Sequence, residues 1–425
     1  VGAGLLVAVA LSAGAALPGA ARAADKPDQK NGDGPLREEL LKLNAIATED
    51  GQRAKLLALI KDKDRAKRLV AEADKMLKEA KGKENPFNYN GTLILARLAH
   101  FTKQYDAAEA LYEHLIETAT NLKSGGKMVA AYENLIGMYF DQKKYAQVVE
   151  ACERFVGESG PEEYETAKAF IYERLAQAKA KEGKFDEALR VADLLVSADA
   201  GGWYFVQTKG WVLREQGKLG AAIDAYVDSL AKLEANKTLK PELKDRFTDR
   251  TRYILTGLYV DNKDIPKAAK ELQALIKRHP DNPVYKNDLG YIWGDNDLNL
   301  EESEQLIRDA LDLDLKEKEK LKKEGKLDEV KPRPAYLDSL GWVLFKQKKY
   351  TEALEQLKKA SADEDSGSHM EIWDHLADCY LALGQKKEAI AAWEKGLKFE
   401  DLSKRDAERR RKVSDKLKKA RADKD

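Results

Sequence analysis

The chain has 425 residues, with Lys+Arg and Asp+Glu balanced at 74 each, so the molecule as a whole makes no field that would draw it to nucleic acid or an anionic membrane. Its two cysteines exclude a disulfide framework. Charged residues make up 35%, and no stretch alternates polar and apolar residues over any length, which leaves an all-α fold.

Taken in order, Val1 to Ala21 carries no charge and closes on Ala21-Arg22-Ala23, a pattern of the kind cut by signal peptidases. Residues 1–23 are therefore expected to be a bacterial-type secretory signal, entered part-way because no Met or basic start precedes it. The alternative is an uncleaved anchor, the one case in which membrane association is expected. An extracytoplasmic setting, periplasmic or secreted, follows from the first reading. Residues 24–35, with Gly, Asp, Asn and Pro, read as a disordered linker. Residues 36–85 hold two amphipathic stretches, LREELLKLNAIA and RAKRLVAEADKML, expected to form an N-terminal helical cap or a degenerate repeat.

From residue 86 to residue 400 the chain repeats one unit, clearest at Tyr336–Ala360. Leu337, Leu340, Gly341 and Leu344 share one face of a first helix, and Ala353, Leu354, Leu357 and Ala360 share one face of a second. The polar turn Lys346–Lys349 is short enough to fold them back on each other. Gly341 and Ala353 are small where the helices would cross. The small residue opening the second helix recurs as Ala108, Ala188, Ala222, Ala268 and Ala389, with Val148 and Ser303 in weaker copies. One such hairpin cannot bury its apolar face alone and must stack on copies of itself.

EGKFDEAL (Glu182–Leu189), QGKLGAAI (Gln216–Ile223), KKYTEAL (Lys348–Leu354) and LGQKKEAI (Leu383–Ile390), at spacings near 34 residues, resemble the turn and second-helix start of tetratricopeptide repeats. Pro280 ends its copy where that family usually carries a proline. The resemblance, shared with bacterial exported members, implies a right-handed α–α superhelix of about eight hairpins between N- and C-terminal capping helices. Two insertions interrupt it, Asn236–Leu243 and the charged Leu315–Pro334, the latter expected to extend one helix and return through prolines. Residues 401–425 are basic, with a weak stripe of Val413, Leu417 and Ala420, and are expected to be a solvating helix over the last repeat.

Reactive clusters are not found. No H-E-x-x-H, G-x-S-x-G, Walker-type or G-x-G-x-x-G motif occurs. The histidines lack metal spacing: His369 and His375 are six apart, and His100 and His114 fall on the two helices of one hairpin without a matching ligand. Cys152 and Cys379 lie in distant copies and are expected to be buried packing residues. No catalytic residue, cofactor or metal site is therefore expected. In this family the first helices line a concave groove, which implies a protein or peptide partner held there. Candidate groove residues are Phe140, Trp211, Arg214, Tyr291, Trp342, Phe345, Asp374 and Asp378, with Trp211, Tyr291 and Trp342 as aromatic anchors; nucleic acid is not an expected partner. The opposing reading of those three rings is that they pack against the neighbouring first helix. Some family members grip a chain-terminal carboxylate with Lys and Asn on these faces; Gln207, Asn287 and Asp338, beside the aromatics, do not supply such a clamp. The competing function is an envelope enzyme, or a polymer-binding protein using groove carboxylates or the basic C-terminal helix.

Overall fold

The computed structural model describes residues 34–80, 85–157, 163–199, 201–363, 369–400 and 404–422. The expected signal, and the expected linker up to residue 33, lie outside the described residues; Gly34 and Pro35, assigned to the linker by sequence, instead begin the first helix. Among the described residues there is no strand.

Packing divides the chain into two compact units that meet between Lys244 and Asp245. The sequence suggests one continuous array over 86–400; the division falls within the helix Pro241–Asp261, just past the Asn236–Leu243 insertion. The N-terminal unit opens with α1 (Gly34–Lys42), α2 (Glu49–Leu59) and α3 (Lys63–Glu79). Thr48 and Asp62 cap α2 and α3 by accepting from Gly51 and Arg65 backbone N–H groups. Four hairpins follow: α4 (Tyr89–Phe101) with α5 (Tyr105–Asn121), α6 (Gly125–Asp141) with α7 (Tyr145–Gly157), α8 (Glu163–Lys181) with α9 (Phe185–Ala198), and α10 (Tyr204–Gln216) with α11 (Leu219–Ala235). The C-terminal unit holds four more: α12 (Pro241–Asp261) with α13 (Ile265–Arg278), α14 (Pro283–Asp295) with α15 (Leu300–Lys323), α16 (Pro334–Lys346) with α17 (Tyr350–Ser361), and α18 (Met370–Ala382) with α19 (Lys386–Gly396), then α20 (Lys404–Ala422).

The hairpin turns share one chemistry. At Lys348 the backbone is left-handed (φ 65°), Lys348 N–H donates to Phe345 O, and Lys349 N–H reaches Leu344 O. This is a Schellman ending, which satisfies carbonyls that the helix end would leave bare. Lys103, Lys143, Gly183, Gly217, Lys263 and Gly384 occupy the same place in their hairpins. The small marks are buried as expected: Ala108, Ala188, Ala222, Ala268, Ala353 and Ala389 have no solvent exposure. A methyl on Gly341 would come 2.6 Å from Leu357, and one on Gly290 would come 2.8 Å from the Ser303 carbonyl.

Helix α15 continues into the charged insertion, and Lys318 ties the returning strand of chain by donating to Lys331 O at 2.8 Å and pairing with Asp314. Helix α20 packs on α18 and α19 with Val413, Leu417 and Ala420 buried. Cys152 and Cys379 are free and buried; burial pushes their thiols up to about 12 and about 11, so both are poor nucleophiles at neutral pH.

Gly290→Ala is expected to lower stability by about 1–3 kcal/mol because the Ser303 carbonyl is backbone and cannot give way. Gly257→Ala on α12, whose added carbon meets nothing within 4 Å, is expected to be neutral or to stabilise by up to about 1 kcal/mol. Denaturant titration followed by circular dichroism at the helix band checks both; equal effects would contradict the assigned close approach.

Candidate functional site

In each unit the hairpins form two layers, because neighbouring first helices touch one another: α4 with α6, α6 with α8, α8 with α10, and separately α14 with α16 and α16 with α18. First-helix positions off the packing stripe therefore come together as one face per unit.

On the N-terminal face, Arg97 of α4 donates through Nε to Asn134 Oδ1 of α6 at 3.0 Å. Arg174 of α8 lies between two rings, its guanidinium 5.3 Å from Phe140 and 5.1 Å from Phe170. One of its terminal nitrogens donates to Gln177 at 3.0 Å, but its Nε is buried with no partner. Neither arginine pairs with a carboxylate among the described residues. Glu133 lies near both; burial pushes its carboxyl above the usual range despite the pull of Arg97 and Arg174. Beyond them, Tyr204 of α10 donates to Glu173 at 2.9 Å, and Lys181 stands 5.2 Å over the Trp211 ring while pairing with Glu215 at 2.7 Å.

Around Tyr291 and Trp342 the C-terminal face is closed by its own contacts. Trp342 of α16 stacks on His375 of α18 at 4.1 Å and on Phe345 at 5.0 Å, and its indole N–H donates to Asp295 of α14 at 2.9 Å. Tyr291 of α14 donates to Glu371 of α18 at 2.6 Å, and Arg409 of α20 pairs with the same carboxylate. His375, 1% exposed, donates through Nδ1 to Asp338 at 3.0 Å. Burial pulls its imidazole down, but Asp338 and Glu371 outweigh that and leave it above its ordinary value. Asp374, 5% exposed, accepts from Trp393 at 3.0 Å and pairs with Lys416 at 2.8 Å; Lys416 also pairs with Asp378 at 2.6 Å.

These positions change the reading of several sequence candidates. Tyr291 and Trp342 are engaged in joining three first helices, as in the opposing reading, and Phe345 supports Trp342 and meets Tyr350 at 5.3 Å. Asp374 and Asp378 are neutralised by α20. Phe140 and Trp211 remain on the N-terminal face as platforms for Arg174 and Lys181, and Arg214 is exposed at the last turn of α10. The Arg97–Asn134–Arg174 row is not among the sequence candidates, because the first-helix positions corresponding to a carboxylate grip are Gln207, Asn287 and Asp338, each beside an aromatic that follows a small packing residue. Its signal was present: Asn134 and Arg174 each stand immediately before the core leucine of their first helix, Leu135 and Leu175. Among the described residues no group of three or more His, Cys, Asp or Glu is arranged to hold a metal ion.

A family described as anaphase-promoting complex, cyclosome, subunit 3, matches residues 326–396. Over 108 residues, 25% of this chain, the sequence is 30% identical to the TPR repeat-containing protein PA4667 of Pseudomonas aeruginosa, and the match spans 16% of that protein's length. With the stacked hairpins, these matches make the chain a protein of the tetratricopeptide-repeat class. Solved structures that it is similar to include a tetratricopeptide repeat protein from Parabacteroides merdae (14% identity, 71% of this chain and 98% of that one, TM-score 0.43). Another is yeast Tom70 (12% identity, 94% and 66%, TM-score 0.43).

Because the folded imidazole of His375 titrates above the unfolded one, its contribution to stability is complete below about pH 6.5 and is lost as pH rises through the raised value. The melting temperature of the C-terminal unit is expected to fall across that window in the wild type and to be lower and flat in His375→Gln. Trp342→Ala is expected to cost about 1–3 kcal/mol through lost stacking and a stranded Asp295 bond. An unchanged melting transition would return Trp342 to the role of a free anchor.

Proposed function

We propose that the protein is a non-catalytic scaffold that holds an extended peptide or protein segment against the first-helix face of its N-terminal unit, and that the segment carries a carboxylate. One observation carries this: Arg174 is oriented between Phe140 and Phe170 with a buried, unpaired Nε and no acidic partner. A guanidinium fixed between rings keeps its fork aimed without losing further side-chain freedom on binding. A carboxylate arriving there gains a charge-assisted bond beside Glu133, whose own carboxyl burial pushes above the usual range. Arg97 and Asn134 extend the same row by one helix, so a chain lying across α4, α6 and α8 meets donors in succession.

We extend the reading to a setting outside the cytoplasm, supported by the uncharged Val1–Ala21 stretch and its Ala21-Arg22-Ala23 ending. No helix among the described residues is long and apolar enough to cross a membrane. Protein from the native host beginning at Ala24 on N-terminal sequencing supports this; an intact Val1 region in the membrane fraction contradicts it.

Peptides selected from a random display library on the purified chain are expected to be enriched in Asp, Glu or a free C-terminal carboxylate. Arg174→Ala is expected to weaken the selected peptides about tenfold or more. Arg97→Ala should have a smaller effect in the same direction. Selected peptides without acids, or binding indifferent to Arg174→Ala, would overturn the proposal.

A further inference from the structure

The first-helix face of the C-terminal unit has one place that its own contacts leave incomplete. Asp288 of α14 accepts from the Tyr253 hydroxyl of α12 at 2.7 Å and from Asn287 Nδ2 at 3.3 Å. No cation pairs with it among the described residues. The other shielded aspartates of this unit are all paired: Asp249 with Arg278 and His279, Asp314 with Lys318 and Arg333, Asp338 with His375, and Asp374 with Lys416. Asp288 is the exception.

Its surroundings are aromatic and short of donors. The Tyr253 and Tyr285 rings are 5.7 Å apart and tilted by 52°, and Tyr253 is 42% exposed, so the cluster opens to solvent. Tyr336, 3% exposed, lies within electrostatic reach of Asp288, and its hydroxyl has no partner. Asn287, 7% exposed, leaves its amide oxygen without a partner. Each of these unmatched atoms can accept a hydrogen bond, and the Tyr253 and Tyr285 rings present electron-rich faces, while the Tyr336 ring has the Arg333 guanidinium over it at 4.9 Å. Burial pushes the Asp288 carboxyl above the usual carboxylate range, opposed only by the bonds from Tyr253 and Asn287. The missing complement is a positively charged donor.

We infer that Asp288, with Tyr253, Tyr285, Asn287 and Tyr336, forms a binding site for an ammonium group, the lysine side chain of a protein partner. An ammonium carries three donors and a full charge, which matches a carboxylate and neighbouring neutral acceptors inside an aromatic rim. The site lies in a different unit from Arg174 and does not rest on the reading of that row.

The test titrates the full chain with Nα-acetyl-lysine N-methylamide while the tyrosine ring resonances are followed by NMR. Saturable shifts are expected, with the Nε-acetylated analogue binding about tenfold more weakly or worse because it has lost its charge. Asp288→Asn should abolish saturation while leaving the melting temperature equal or higher, since a neutral amide replaces a desolvated carboxylate. Tyr253→Phe, a change at an exposed phenol, should weaken binding, and Arg174→Ala should leave it unchanged. Equal binding of the Nε-acetylated analogue, saturation retained in Asp288→Asn, or shifts that stay linear throughout the titration would overturn the inference.

Discussion

Everything in this molecule depends on how closely the two helices of each hairpin approach. The residue opening each second helix is buried to zero exposure at all eight hairpins; it is alanine at six, and Val148 and Ser303 take its place at the other two. Where the facing residue is glycine, as at Gly290 and Gly341, the partner backbone or side chain fills the space a Cβ would need. The Schellman turn sets the return of the chain, and the small residues set its depth. With most backbone polar groups satisfied inside the helices, each hairpin offers its neighbours chiefly side chains, with a few carbonyls at the helix ends such as Asp295 O and Leu300 O. The first helices then line up in a layer whose remaining positions are open to other chemistry.

The two units use those positions differently. In the N-terminal unit two arginines stand without acidic partners, one fixed by rings and one by an asparagine. In the C-terminal unit nearly every charge has been answered from within, by Tyr291, His375, Trp342 and the basic residues of α20. Helix α20 thus has two roles in one surface: its stripe of Val413, Leu417 and Ala420 shields the last apolar layer, and Arg409 and Lys416 neutralise the α18 carboxylates. Buried pairs of this kind cost desolvation, so their value lies more in fixing how helices meet than in raw stability.

The fold was legible because its causes are local. Leucines at helical spacing, a short polar turn and one small residue per hairpin occur within about 25 residues of each other in each copy. The faces were less legible because their partners are distant in the chain. Trp342 could be placed on a first helix and off the stripe, but its Asp295 bond spans 47 positions, and the Tyr291–Glu371 bond spans 80. Only a known stacking register turns an off-stripe aromatic into a joint between helices. Asp374 and Asp378 carried a readable signal: two acids four apart on α18, answered by bases seven apart, Arg409 and Lys416, on α20. Asn134 and Arg174 were hidden by their context. Asn134 falls in a copy with weaker repeat marks, where Val148 replaces the small residue, whereas Arg174 falls in the well-marked copy of Gly183 and Ala188, on a first helix with no aromatic after a small packing residue.

The central claim is that the first-helix face of the N-terminal unit meets the partner while the second-helix layer serves the solenoid. A photo-crosslinking amino acid placed at Phe140 on that face, and separately at Leu194, an exposed side chain of α9, tests it in one measurement with a selected acidic peptide. The account predicts cross-links from position 140 that map beside the peptide carboxylate, with none above background from position 194. Equal cross-linking from both positions, or capture from position 194 alone, would contradict it.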